Sequence, residues 1–367
     1  MVPGGDRGAP AGPLPVPAPG HPGDVVIGYY VHHQGSGHLH RLLAVSRLLR
    51  QPLTVLSSLP RPPRVDLPWV RLADDGADPE TVVDPDAHGT FQWAPRHDLG
   101  LRTRMGQLVA WVDAAGPDLV VVDVSVEVAV QCRLAGVPVA VVARPGDRDD
   151  RAHRTAYDLA DAILAPWPRG ADTGHWPARW RDKTVHVGGF SRFDGWPRLL
   201  DDGAVAGPRG LLLWCPEDGP PPEQRWQELR LATPGWTWEC DLPDRPLSTA
   251  HTWNALCRSD VVVTHAGGNV VAEVAAARTP AVVVASPRPD GEQQHTVRAV
   301  DGAAMAVGLP AWPRPHQWPA LLAEARRRGG DRWTDWNDGQ GAHRTAAALE
   351  SLSARLGRTS SAGALDA

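Results

Sequence analysis

Lysine is almost missing from this chain: Lys183 stands alone among 37 basic residues, so arginine carries nearly all the positive charge. That bias, with abundant Ala, Gly and Pro, reflects GC-rich coding more than a function. Acidic residues outnumber basic ones and leave a formal net charge of −5, which argues against a nucleic-acid partner. Cysteine is scarce too. Cys132, Cys215, Cys240 and Cys257 lie far apart with no CxxC pair, which excludes a zinc ribbon and gives no reason to expect a disulfide framework; buried small residues are the reading. No window reaches the uninterrupted apolar length of a membrane helix. The opening "MVPGGDRGAPAGPLPVPAPGHPG" lacks the cationic start and apolar run of a signal peptide, so residues 1–23 read as a flexible tail and the expected location is cytoplasmic. No repeat of solenoid period is present.

What is there is a long alternation of strands and helices. At 367 residues the chain fits two domains of common size. "VVIGYYV" (25–31), "LTVLSS" (53–58), "DLVVVDVS" (118–125), "VPVAVVAR" (137–144), "DAILAP" (161–166) and "KTVHVGG" (183–189) are short, β-branched apolar runs. Helical spacing appears in 39–50, 99–116 and 126–136, and Gly116-Pro117 closes the second of these. Apolar strands alternating with amphipathic helices predict a parallel sheet covered on both faces. The polar, Gly/Pro-rich stretch 194–210 then reads as a linker. A second series follows: "LLLWC" (211–215), "WTWEC" (236–240), "SDVVVTHAGG" (259–268) and "TPAVVVASP" (279–287) as strands, with helices at 269–278, 292–302, 317–330 and 341–357. The expected organisation is an N-terminal domain over 24–193, a linker over 194–210, a second domain over 211–340, a terminal helix over 341–357 and a tail over 358–367. In such α/β folds ligands bind beyond the carboxyl ends of the strands, here in a cleft between the two domains.

Two segments carry chemistry. In "VVVTHAGGNVVAEVAAAR" a strand ends at Thr264-His265, Gly267 and Gly268 make the turn, and Asn269 begins a helix as its cap. Free backbone N–H groups and the positive end of the helix dipole make that turn a phosphate site, and His265 adds a side-chain donor. Glu273 lies one turn past Asn269 on the same face, where a carboxylate accepts from two adjacent hydroxyls such as a ribose offers. The other segment, "HHQGSGHLHR" (32–41), holds His32, His33, His38 and His40. These have no repeated metal-ligand spacing and no acidic or Cys cluster beside them, so strand, Gly turn and helix explain the segment without zinc.

"THAGGNVVAEVAAARTPAVVV" followed by "DGEQQ" resembles the donor-binding half of GT-B glycosyltransferases, most of all the group that includes the peptidoglycan N-acetylglucosaminyltransferase (family 28). The resemblance implies two doubly wound Rossmann-like domains facing across a cleft. It implies that Glu273, eight residues after His265, holds the nucleotide ribose, and that Gly267, Gly268 and Asn269 contact a pyrophosphate. It further implies that an acidic residue plus Gln, or a Gln pair, contacts the donor sugar; "DGEQQ" offers Asp290, Glu292, Gln293 and Gln294, with Gln293 and Gln294 the pair expected. The second domain of such proteins often opens with a Gly-rich loop over the phosphates, whereas "LLLWCPEDGPPPEQ" (211–224) has Pro216 and a single glycine, Gly219.

The same resemblance places a Gly-His turn after the first strand: Gly35 and Gly37 form the turn and His38 starts the helix. An imidazole suits a general base that removes a proton from an acceptor hydroxyl. Some relatives orient this His with an Asp at a later strand end, which implies a His38–Asp123 dyad; as a purely local feature, Asp123 would cap the helix starting at Ser125 or Val126. The region 89–105, with Trp93, Arg96, His97 and Arg102, reads either as a wall for the acceptor or as a loop anchored by one Trp. The stretch 143–153 follows a strand end and is expected to add Arg144 or His153 to the same rim. The expected function is metal-independent, cofactor-free transfer of a hexosyl group from a nucleotide-diphosphate sugar, read as a UDP-sugar, to an acceptor hydroxyl. The acceptor is a small molecule or is lipid-linked, the latter bringing peripheral membrane contact. A UDP-sugar 2-epimerase and a catalytically degenerate nucleotide-sugar binder are the alternatives.

Overall fold

A computed structural model describes residues 25–33, 36–75, 82–171, 175–198, 207–214, 223–241, 247–287 and 291–357. Both tails, Gly35, Cys215, Asp290 and most of the 211–224 loop lie outside the described residues. The first half runs β1 (Ile27–Val31), α1 (Ser36–Ser46), β2 (Leu53–Ser57), β3 (Trp69–Arg71), α2 (Leu99–Ala115), β4 (Leu119–Asp123), α3 (Val126–Leu134), β5 (Val139–Val142), α4 (Arg151–Leu159), β6 (Ala162–Ala165), α5 (Ala178–Arg181) and β7 (Thr184–His186). The second runs β8 (Arg209–Leu213), α6 (Glu223–Ala232), β9 (Thr237–Asp241), α7 (Thr249–Arg258), β10 (Val261–His265), α8 (Gly268–Ala277), β11 (Ala281–Val284), α9 (Glu292–Gly302), β12 (Val307–Leu309), α10 (Trp318–Arg328) and α11 (Gly341–Leu356).

Two sheets result. Strands β1–β7 form one in the order β3-β2-β1-β4-β5-β6-β7, and β8–β12 form the other in the order β12-β11-β10-β8-β9. All ten strand pairings are parallel. Their residues are apolar on both faces because helices cover both faces: every residue of β1, β4, β10 and β11 is buried. Each fully buried Val, Leu or Ile contributes on the order of 2 kcal/mol. Among the described residues no helix is long and apolar enough to cross a membrane.

The last helix does not stay with the second sheet. Ala342, Ala346, Leu349 and Leu352 of α11 pack in one core with Ile27, Tyr29 and Val31 of β1 and Leu42 of α1. The chain therefore returns to the first sheet, and it is pinned on the way: Gly189 donates its N–H to the Trp336 carbonyl at 2.7 Å. Gly189 has to be glycine there, since a Cβ would lie 2.7 Å from the Trp336 ring.

Candidate active site

In each sheet the strand order reverses beside its first strand, and a crevice opens where neighbouring connections leave in opposite directions. In the first sheet this point lies between β1 and β4, whose register sets Val31 opposite Asp123. In the second it lies between β8 and β10, with Leu213 opposite Thr264. His38 and Asp123 therefore flank one switch point, and Trp214 and His265 the other. A cavity of about 230 Å³ joins them, walled by Gly37, His38, Arg41 and Arg144 from the first half and Trp214, His265, Gly267, Asn269 and Glu273 from the second.

At the first-sheet end, His38 Nδ1 meets Asp123 Oδ1 at 2.8 Å, and both side chains are buried. Arg41 grips the same carboxylate through Nη1 at 2.6 and 2.7 Å, and the Tyr29 hydroxyl donates to Oδ2 at 3.3 Å. Burial alone would raise the Asp123 carboxyl, but Arg41 and His38 outweigh it and hold Asp123 far below the usual carboxylate range. An ionised Asp123 needs the proton on Nδ1, so the lone pair of Nε2 points away from it, where Arg144 Nη2 donates at 3.2 Å. Asp123 is thus a partner of His38; the α3 cap is Ser125, whose hydroxyl accepts from the Val128 N–H. Val124, directly after Asp123, has φ 63°, a conformation that strains a β-branched residue and marks this strand end as specially held.

Two local expectations need correcting. Helix α1 starts at Ser36, so Gly37 and His38 both lie within its first turn and Gly37 is not part of a preceding loop. Its bareness serves another purpose, for a Cβ on Gly37 would sit 1.7 Å from Asn269 Nδ2, across the cleft. Asn269 is not the cap of α8. Gly267 occupies the cap position with extended backbone and no side chain caps the helix, whose first residues Gly268 and Asn269 line the cavity. Asn269 Oδ1 accepts instead from Arg41 Nη2 at 3.3 Å.

At the other end, His265 Nδ1 accepts the Gly267 N–H at 3.1 Å, which puts the ring proton on Nε2. Glu273 is buried in the cavity wall and pairs with Arg192 at 2.8 Å. Burial pushes its carboxyl up to about 7 against the opposing pull of Arg192. Gln293 reaches the cavity, but its Oε1 accepts from Ala266 N at 3.2 Å and Ser286 N at 2.8 Å, tying the β10 turn to the end of β11. Gln294 is placed outside the cavity, with its amide donating to the Pro310 carbonyl at 2.9 Å; as residues 293 and 294 are neighbours on α9, one faces in and the other away. Within "DGEQQ" the described acidic residue, Glu292, faces the cavity, as Asp241 and Glu273 do from other elements.

Of the remaining candidates, His40 lines the cavity and is held to about 4, first by burial and then by Arg192. His32 stacks on His33 with ring centroids 4.6 Å apart, and burial with nearby positive groups lowers it to about 3. His33 lies near Asp74 and Asp75, a group with metal-ligand proximity, yet Arg104 already holds both Asp75 oxygens at 2.6 Å. Trp93 anchors its loop by donating to the Asp75 carbonyl, Arg96 pairs with Asp84, and Trp93, Arg96, His97 and Arg102 are all outside the cavity wall. His153 is bonded to Asp150 and Gln92. Sequence reasoning passed over Arg41, Arg192 and Trp214. The ring of Trp214 lies 5.4 Å from that of His265. Nothing local marks "FSRFD" as a site, whereas a Trp at the end of a strand beside the switch point was a usable signal.

Residues 251–311, from α7 past β12, match the glycosyltransferase family 28 C-terminal domain. About 90% of the chain superimposes on solved glycosyltransferase structures. The glycotransferase of kitacinnamycin shares 15% identity at a TM-score of 0.64, covering 90% of this chain and 100% of that one. The fold is GT-B. SnogD from Streptomyces nogalater aligns at 14% identity and TM-score 0.62 over 90% of this chain and 99% of its own. A Listeria monocytogenes protein assigned as a UDP-N-acetylglucosamine 2-epimerase aligns at 13% and 0.61, over 89% and 96%. No curated protein matches by sequence. The GT-B frame gives the cavity its two sides, with the segment that matches the family 28 model carrying His265, Gly267, Asn269 and Glu273, and the first half carrying His38 on α1 and Asp123 at the end of β4.

Proposed function

We propose that the protein transfers a hexosyl group from a nucleotide-diphosphate sugar, a UDP-sugar, to an acceptor hydroxyl. The observation that carries this reading is the pairing, across one cavity, of an uncapped helix start beside a buried carboxylate with a His–Asp pair whose Nε2 lone pair faces in. The diphosphate would sit on the N–H groups of Gly268 and Asn269, with His265 Nε2 as a further donor while the Gly267 N–H holds the His265 ring, and Glu273 would accept the two ribose hydroxyls. His38 would take the acceptor proton at Nε2 while Asp123 holds the ring and balances the charge that forms. The helix dipole would stabilise the departing nucleotide diphosphate, so that no metal is called for. This location of the donor keeps Gln293 as a brace of the sugar pocket and gives Glu292 the sugar-facing place.

The 2-epimerase reading has its own support, because carboxylates and guanidiniums are more numerous in this cavity than a transferase base alone needs. Against it, Asp123 is saturated by Arg41 and His38, and Glu292 is held by Arg144 and Arg148. The test is a thermal-shift titration with UDP, dTDP, GDP and ADP, followed by product analysis with the matching nucleotide-hexose. UDP stabilisation with nucleotide released in step with glycoside supports transfer; a sugar epimer supports the alternative; stabilisation without turnover supports a binder.

A further inference from the structure

The proton-accepting nitrogen of His38 is covered by a cation, and the covering cation shares its carboxylate partner with a second arginine. Arg144 Nη2 lies 3.2 Å from His38 Nε2, and its Nη1 reaches Glu292 Oε2 only at 3.4 Å. That oxygen is shared with Arg148 Nη2 at 3.3 Å, whose side chain is 3% exposed and also donates to the Pro145 carbonyl. At this end of the cavity Arg41 grips Asp123, while Arg144 and Arg148 share Glu292. Asp147, in the same loop, is turned to His175 and His295. Arg144 lines the cavity and is about one-third exposed, the most exposed of the three.

Two conditions follow for turnover. An acceptor hydroxyl has to take the place at Nε2 that Arg144 occupies. His38 also has to become positive beside a guanidinium that opposes the charge. One substrate feature meets both, an anion that draws Arg144 off the imidazole and neutralises it. We propose that Arg144 is a specificity-determining residue that reads a carboxylate on the substrate, set within two hydrogen-bond lengths, about 6 Å, of the reacting centre. The inference rests on His38 as base and on the donor site at Glu273. The diphosphate has its own place at the start of α8 and leaves Arg144 to a second anion. The carboxylate belongs either to the acceptor, as in a hydroxy acid, or to the donor sugar, as in a uronic acid.

The experiment uses the full chain and two matched pairs. With UDP saturating, 3-hydroxybenzoate is titrated against 3-hydroxybenzamide; separately, UDP-glucuronate is titrated against UDP-glucose. The acid of one pair should bind at least about tenfold tighter than its neutral partner, as expected for a charge-assisted bidentate contact. Preference in the first pair puts the acid on the acceptor, and preference in the second puts it on the sugar. The preference should fall below about threefold in Arg144→Met, persist in part in Arg144→Lys, and leave the affinity for UDP alone within about threefold. No preference in either pair overturns the inference, as does a preference that survives Arg144→Met, or a UDP affinity that falls with it. If wild type binds UDP but neither acid is favoured, only this inference fails; if wild type binds no UDP, the transferase reading fails and takes the inference with it.

Discussion

Glu273, in the cavity wall, and Asp123, behind His38, are both buried carboxylates, and their surroundings drive them in opposite directions. Asp123 has Arg41 and His38 at hydrogen-bond distance and stays ionised. Glu273 has a single Arg192 against its burial and rises to about 7. The consequence for stability has a definite sign. A carboxyl whose folded value is raised contributes stability fully present below its unfolded value, near 4.3, and lost as pH climbs through about 7. Urea unfolding of the ligand-free protein at pH 5 and pH 8 should therefore show wild type losing on the order of 3 kcal/mol relative to Glu273→Gln over that interval. Binding runs the other way. Ribose hydroxyls donate to the ionised form, so UDP affinity should rise over the same interval in wild type and stay flatter in Glu273→Gln, which serves as the control for titration of UDP itself.

Among the elements, the start of α8 and the start of α1 carry the most function per residue, and both depend on missing side chains. A Cβ on Gly267 would lie 2.5 Å from the His265 ring, which is fixed by the Gly267 N–H. Gly267→Ala should displace His265 and raise the Kd for UDP by about tenfold or more with little change in melting temperature, since the site is a turn at the edge of the core. An equal loss of stability and affinity would show that the turn is structural only. Much of this was legible in the sequence. The strand–turn–helix of 261–277 and the span of α9 follow from apolar spacing, glycines and the "DGEQQ" turn. Helices α4, α6 and α7 were not, because the buried face of α4 is Ala152, His153, Ala156 and Tyr157 and lacks long aliphatic residues. Strand β3 has three residues in a Pro-rich passage and shows no period. Asn269 reads as a cap by type, yet it forms an interdomain bond with Arg41, and no local rule foresees a partner 228 residues away.

At the scale of the whole molecule the cleft is held by a few long-range contacts and by a helix that crosses it. Arg41 to Asn269, Arg192 to Glu273, and Arg144 and Arg148 to Glu292 span the two sides. Helix α11 closes the first core from the far end of the chain. Leu349, fully buried against that core, should cost about 2–5 kcal/mol when cut to Ala, measured by denaturant unfolding of the whole chain. Unfolding probes placed in the first sheet should register the loss; an effect confined to the second sheet would contradict the crossing. The fold class and the two-sided cleft were readable from the alternation of elements, but the return of α11 was not, since an amphipathic helix does not state which sheet it covers.

The central claim is that one cavity divides its labour, with Glu273 and the start of α8 holding the nucleotide and His38 moving the proton. The most direct measurement is a paired one on His38→Ala: UDP affinity by calorimetry and nucleotide release from the turned-over nucleotide-hexose. The account predicts a UDP Kd unchanged within about threefold and a rate reduced by about 10²–10⁴, the usual worth of a general base. A His38→Ala protein that releases nucleotide at the wild-type rate, or one that loses UDP binding along with turnover, would contradict it.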